Sequence, residues 1–196
     1  MLRLRHARAA GADAARGDRP ARRRRAGRQP EEARALTTRG PRTLVLGLGN
    51  PILGDDAVGL KVAALVAERL GPASPVEVDE EFHGGLRLME RLAGYERVVL
   101  VDALTSGTVP PGTVVLLGPA DLPTRHAGSS HDVDLPTALR LGAEMGLPMP
   151  RELAIVGVEA ERVLDFSDDC TPAVAASLPE AAAAVLAELA SAPEAR

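Results

Sequence analysis

The 196-residue sequence predicts an α/β fold: a mainly parallel twisted sheet with helices on both faces. Three observations carry this. Short apolar runs alternate along the chain with segments whose apolar residues fall at helical spacing. Two of those runs, Thr43–Leu48 and Arg97–Val101, are apolar almost throughout, as buried parallel strands are. Finally, 45% of the residues are apolar but there is no Trp, one Tyr and two Phe, so the core is built from Val, Leu, Ile and Ala. The size suits one well-buried domain and hardly two.

Thr43–Leu48 reads as the first buried strand. Val58, Val62, Leu65, Val66 and Leu70 follow at helical spacing and stop at Gly71-Pro72. Pro75–Val78 is expected as a second short strand. Gly85–Leu92 reads as a helix with Leu86, Met89 and Leu92 on one side, closed by Gly94. Arg97–Val101 is a strand ending at Asp102, and Pro110-Pro111-Gly112 turns the chain into another, Thr113–Leu117. Residues 118–132 form a loop of about fifteen residues, a length that marks functional or mobile segments. Asp134 and Pro136 open a helix running to about Met145. Glu152–Val158 is the last strand, and Thr171–Ala190 an Ala-rich closing helix.

The net charge of −4 combines two unlike regions. Residues 1–42 carry 13 Arg against 4 acids, a net of +9, and the remainder carries 10 basic and 23 acidic groups, a net of −13. The first region has few aliphatic residues to bury and is expected to be a basic, disordered extension. It is read as having no role of its own and as reflecting in part a start site assigned too far upstream. The domain is expected over 43–190, with a short tail at 191–196. No signal-length apolar stretch follows Arg22 to Arg25, and nothing reads as a membrane span. A single cysteine, Cys170, excludes an internal disulfide and a multi-cysteine zinc site. These features place the protein in the cytoplasm.

Three polar points sit where strand ends converge. The first is Asp55-Asp56, inside Leu46-Gly47-Leu48-Gly49-Asn50-Pro51-Ile52-Leu53-Gly54-Asp55-Asp56-Ala57-Val58-Gly59. Adjacent carboxylates on a glycine turn repel each other unless a cation, a proton or helix N-terminal amides lie close. One acid suffices to cap the following helix, which is the reading for Asp55, so Asp56 is the candidate. The second point is the acidic run Glu77, Asp79, Glu80, Glu81, where one of Glu80 or Glu81 precedes Gly84-Gly85 and a helix. The third is His131, flanked by small polar residues just before a helix, whereas His126 reads as structural or exposed. Two carboxylates and an imidazole make a mixed O/N site for a first-row divalent metal, nickel and zinc included.

Other chemistries are absent. There is no Gly-x-Ser-x-Gly elbow and no Gly-x-x-x-x-Gly-Lys-Ser/Thr loop. Gly47-x-Gly49 opens like a dinucleotide site, but Asp55-Asp56 would set negative charge where a pyrophosphate binds. Few aromatics and an acidic domain also disfavour nucleic acid.

Gly47-Leu48-Gly49-Asn50-Pro51-Ile52-Leu53-Gly54-Asp55-Asp56-Ala57-Val58-Gly59 closely resembles the signature of hydrogenase maturation proteases, which trim the C-terminus of the [NiFe]-hydrogenase large subunit. The resemblance runs from Thr43 to about Leu189 and includes Val101-Asp102-Ala103, Ser130-His131, Gly157-Val158-Glu159 and Thr171-Pro172-Ala173-Val174. It implies a three-layer αβα sandwich of the phosphorylase/hydrolase-like kind. It also implies nickel-contacting and catalytic residues at Asp56, Glu80 and His131, with Glu81 the alternative second acid. Glu80 comes from counting back from Gly85, taken as the family's glycine before Leu. Two departures stand out: Ala57 where many members carry Gly, and an acidic run with Phe82-His83 in place of a glycine- and threonine-rich one.

By this resemblance the chain is expected to be an aspartic-type or metal-dependent endopeptidase acting on the nickel-loaded large-subunit precursor, and so an activator of another enzyme. Nickel would be carried by the substrate, and the protein would be monomeric, with no nucleic-acid or membrane partner. Two rivals are a non-catalytic nickel-binding maturation chaperone and peptidyl-tRNA hydrolase, which also opens Gly-Leu-Gly-Asn-Pro. The second should continue with Gly and a Thr-Arg-His-Asn segment, where this chain has Ile52-Leu53-Gly54-Asp55-Asp56.

Overall fold

The computed structural model describes residues 42–83, 85–118, 121 and 135–191. His131, His126, Asp134 and Gly84 lie outside the described residues, as do 1–41 of the basic extension and 192–196 of the tail.

Among the described residues the strands are β1 (Thr43–Leu48), β2 (Glu77–Glu81), β3 (Arg97–Leu104), β4 (Val114–Leu117) and β5 (Glu152–Glu159). The helices are α1 (Val58–Leu70), α2 (Leu86–Leu92), α3 (Leu135–Glu144) and α4 (Pro172–Ala190), with a 3-10 turn at Gly54–Ala57 before α1. The sheet order is β2-β1-β3-β5-β4. β1, β2, β3 and β5 run parallel, and β4 closes one edge antiparallel to β5.

The pleat sorts the aliphatic residues between two cores. Val45, Val99, Val101, Val156 and Val158 join Val58, Val62 and Val66 of α1 and Val174, Ala181 and Val185 of α4. Leu44, Leu46, Val98, Leu100 and Ile155 join Leu88 and Leu92 of α2 and Leu135 of α3. The result is the expected three-layer αβα sandwich. Each fully buried Val or Leu contributes about 1.5–3 kcal/mol relative to exposure, so these alternating runs supply the main driving force.

α1 rests backbone-on-backbone against the sheet. A Cβ at Gly59 would meet the Leu48 and Val101 carbonyls, and one at Gly47 would meet the Gly59 carbonyl and Ala63 Cβ. Two glycines of the opening motif are thus contact points that set the helix above β1. α4 is long and apolar enough to cross a membrane. Here its Val174, Ala181, Ala182 and Val185 are buried in the core shared with α1.

Two strands differ from expectation by more than one residue. Instead of Pro75–Val78, β2 spans Glu77–Glu81 and pairs from Leu44↔Glu77 to Leu48↔Glu81. The Val76 N–H goes to Ser74 Oγ at 3.1 Å in a turn, and Pro75 has no N–H to offer, so the ladder starts later and carries the acidic run within it. β3 does not stop at Val101. It continues to Leu104, paired throughout with β5.

Candidate active site

The carboxyl ends of parallel strands form the edge where ligands bind in such sheets. After β1 the chain turns at Gly49, whose φ of 147° and closeness to the Asp56 carbonyl leave no room for a side chain. Asn50 Oδ1 accepts the Ile52 N–H at 3.2 Å, and the Asn50 carbonyl accepts the Leu53 N–H at 3.2 Å, closing the turn. The Asn50 N–H donates to Asp56 Oδ2 at 2.9 Å. Asp56 is 1% exposed and is folded back on the end of β1. Its place in the first turn of a helix adds favourable backbone dipoles around the carboxylate.

Asp55 does not cap the helix as expected: neither the 3-10 turn nor α1 has a side-chain cap. Its fully buried carboxylate turns to a different segment. Oδ2 accepts the N–H groups of Glu161 and Arg162 and the Thr171 hydroxyl, each at 3.0 Å. Oδ1 accepts the Thr171 N–H at 2.6 Å. Backbone bonds reinforce the junction, from Gly54 N–H to the Ser167 carbonyl (2.8 Å) and from Ser167 N–H to the Ile52 carbonyl (3.1 Å). Four donors on one carboxylate offset the cost of burying its charge. The loop 161–170 is thereby fastened beside the turn that carries Asp56.

Glu80 and Glu81 sit at the end of β2 in different surroundings. Glu81 is buried, and its Oε1 accepts the His83 N–H at 2.9 Å with the imidazole Nδ1 3.4 Å away. Glu80 is exposed, and its N–H donates to Asp79 Oδ1 at 2.8 Å. Asp79 pairs with Arg91 of α2. The register sets Glu80 opposite Gly47, on the α1 side of the sheet, and Glu81 opposite Leu48, on the α2 side.

Farther along the same edge, the half-buried Asp102 accepts its neighbour Ala103's N–H at 2.8 Å. Buried Glu159, at the end of β5, accepts the Ser106 hydroxyl (2.8 Å) and the Gly107 N–H (2.6 Å), tying down the segment after β3. Among the described residues no three His, Cys, Asp or Glu side chains stand in a metal-binding arrangement. Asp56 and the β2 acids share the carboxyl edge, and His131 is outside the described residues.

The family model described as hydrogenase maturation protease matches residues 42–188. The chain belongs to this family. It is 31% identical over 153 residues to the hydrogenase 2 maturation protease of Escherichia coli, covering 76% of this chain and 90% of that protein. It is 30% identical over 159 residues to the hydrogenase expression/formation protein HupM of Azotobacter chroococcum, covering 79% and 75%. The solved hydrogenase maturating endopeptidase HybD of E. coli superposes with a TM-score of 0.65 at 31% identity, covering 76% of this chain and 91% of that one. The [NiFe] hydrogenase maturation protease HybD of Thermococcus kodakarensis gives 0.57 at 25% identity, over 76% and 99%.

Two features of this maturation-protease edge escape a reading by composition. One is the anchor between Asp55 and 161–171, whose partners are far apart in sequence. The other is Glu159, which looks like the polar end of an apolar strand. The Thr171-Pro172 helix start was the visible signal for the first, since it marks an ordered end to an otherwise unpatterned loop.

Proposed function

We propose that this chain is an endopeptidase that removes the C-terminal extension of the nickel-loaded [NiFe]-hydrogenase large-subunit precursor, with the substrate's own nickel as the recognition element. The observation that carries the reading is Asp56: a buried carboxylate held at the carboxyl end of β1, within the segment matched by the family.

Asp56, Glu80 and His131 would offer oxygen, oxygen and nitrogen ligands to the incoming nickel. The shared sheet face of Glu80 and α1, at whose start Asp56 lies, supports Glu80 over Glu81 as the second acid. The substrate's nickel, held by these residues, would supply Lewis acidity toward the scissile carbonyl and a bound water, with a nearby carboxylate able to act as general base. Cysteine nucleophilicity is disfavoured. Burial pushes the Cys170 thiol up from its ordinary pKa, the reverse of an activated thiolate, and its Sγ faces the Gly54 carbonyl at 3.5 Å.

The test is incubation of the purified protein with nickel-loaded and nickel-free precursor, read by the gel shift of the large subunit. Cleavage of the nickel-loaded form alone is expected. Binding without cleavage establishes the non-catalytic chaperone instead, and neither binding nor cleavage overturns both.

A further inference from the structure

We propose that the loop 161–170, together with Ile52, is the surface by which the protein grips the large-subunit precursor, receiving a segment of that substrate with an apolar side chain beside basic groups. The inference rests on the function proposed above and adds how the substrate is held.

The loop displays apolar side chains that the fold does not need. Phe166 is 84% exposed and Leu164 is 70% exposed, the two most exposed large apolar side chains among the described residues. A parallel bridge between Leu53 and Ser167, with the Ser167 N–H on the Ile52 carbonyl at 3.1 Å, holds the half-exposed Ile52 against the loop one residue from Phe166. Leu164 and Phe166 line an open cleft of about 700 Å³ that reaches Gly54 and Asp55. Exposed apolar groups gathered beside a candidate active site mark an interaction surface.

The rim selects the occupant. Glu161, Asp165, Asp168 and Asp169 are exposed around these side chains. Of the two nearby cations, Arg162 faces Asp165 at 4.0 Å, and Lys61 donates to the Asp168 carbonyl at 3.0 Å. The surface is therefore apolar at the centre and acidic at the edge. Two copies of this chain meeting here would oppose like charges, whereas a basic, apolar-tipped segment complements both features. The Asp55 anchor holds the loop in place before contact, so little ordering is required on binding.

The test uses the full chain and the nickel-loaded precursor, comparing wild type with a Leu164→Ser/Phe166→Ser double variant and with Asp165→Lys. Steady-state cleavage is measured at low and moderate salt, with melting curves on every protein. The expected result is a KM raised about tenfold in the double variant, with kcat within about twofold. Asp165→Lys should raise KM at low salt and lose most of that effect at moderate salt. All melting curves should coincide, since these side chains are exposed. Unchanged KM in both variants beside an active wild type overturns the docking surface and leaves the proposed function intact. A loss of self-association in the double variant with KM unchanged overturns it in favour of an interface between copies. A wild type that neither binds nor cleaves the precursor removes the proposed function and this inference with it.

Discussion

Thr171 gives both its backbone N–H (2.6 Å) and its hydroxyl (3.0 Å) to the carboxylate of Asp55, a residue 116 positions earlier in the chain. This pairing joins the turn after β1 to the start of α4, closing the carboxyl edge of the sheet around the site. The two adjacent acids thus have different partners: Asp55 holds the 161–171 segment, whereas Asp56 accepts the Asn50 N–H at the end of β1.

Asp55→Asn should be costly in spite of its near-identical shape. An amide keeps one acceptor oxygen, and its NH2 group must confront backbone N–H donors. Leaving buried donors unmet costs about 1–3 kcal/mol, and charge-assisted bonds are lost as well. The expected destabilisation is about 2–4 kcal/mol, a melting point lower by on the order of 10 °C in a thermal scan. Thr171→Val should show part of the same loss, because it deletes the hydroxyl and keeps the N–H. A melt of Asp55→Asn indistinguishable from wild type would remove the anchor from this account.

Glycine substitutions test the seating of α1. Gly59→Ala places a methyl against the Leu48 and Val101 carbonyls, backbone atoms that cannot swing aside, so α1 must lift from the sheet. Gly71→Ala meets nothing nearby, so its cost is backbone strain alone: a φ of 72° with a ψ of 169° is a conformation nearly confined to glycine, at about 1–3 kcal/mol. Gly59→Ala should be the worse of the two, because clashes with two backbone carbonyls at once put its overpacking at the top of the usual range, about 3 kcal/mol or more, with loss of soluble yield. Chemical denaturation of both variants side by side measures the order, and the reverse order contradicts the packing argument.

What was legible before the structure followed burial. β1, β3, β5 and α1 carry aliphatic residues on two faces or at helical spacing, and that patterning exists because both faces of the sheet are covered. β2 is an edge strand of mostly acidic residues, so its bounds depend on the ladder with β1 and not on its composition. Asp55 was misjudged for a related reason. A cap is a local device visible in sequence, whereas bonds to Glu161, Arg162 and Thr171 arise only once the chain has folded. The proposal for Asp56 does not depend on a capping role for its neighbour, since the structure buries its carboxylate at the end of β1 whatever Asp55 does.

Arg97, at the start of β3, reaches the end of α4. Its guanidinium donates to the carbonyls of Glu188 (2.5 Å) and Ser191 (3.0 Å) and pairs with the Glu188 carboxylate at 3.2 Å. A cation there satisfies terminal carbonyls and complements the negative end of the helix dipole. Arg97→Gln should cost about 2 kcal/mol and fray the last turn of α4. Hydrogen exchange should quicken at the amides of the last helical turn and leave those of β1 protected. Uniform quickening throughout would instead indicate global destabilisation.

Glu77 supplies an acid-sensitive contact beside β1. The Tyr95 hydroxyl bound to it holds its carboxyl below the ordinary value of 4.5, helped by Arg42 at 3.1 Å and opposed by partial burial. Arg42 also lies over the Tyr95 ring, 4.3 Å from its centre. A depressed folded-state pKa means the contribution is complete above the unfolded value of 4.5 and disappears as pH falls through the lower folded value. Wild type should therefore melt higher than Glu77→Gln at neutral pH, and the two should converge as the pH falls below 4.5 and through the lower folded-state value. A gap that stays constant with pH would assign the loss to shape and not to charge.

The two acids at the end of β2 make the sharpest test of the site. Glu81 is buried and engaged with the N–H and ring of His83, so Glu81→Gln removes a charged acceptor from a local turn. It should lower the melting point and alter processing only as far as stability falls. Glu80 is exposed and lies on the α1 side of the sheet, so its substitution costs the fold little. If Glu80 and Asp56 contact the substrate's nickel, Glu80→Gln and Asp56→Asn should each leave the nickel-loaded precursor uncleaved, Glu80→Gln with a melting curve like that of wild type. Gel shift of the large subunit and a thermal scan on the same preparations separate the cases. Full processing by Glu80→Gln, with processing lost in a stable Glu81→Gln, would transfer the role to Glu81 and mean that the end of β2 turns its buried carboxylate toward the substrate.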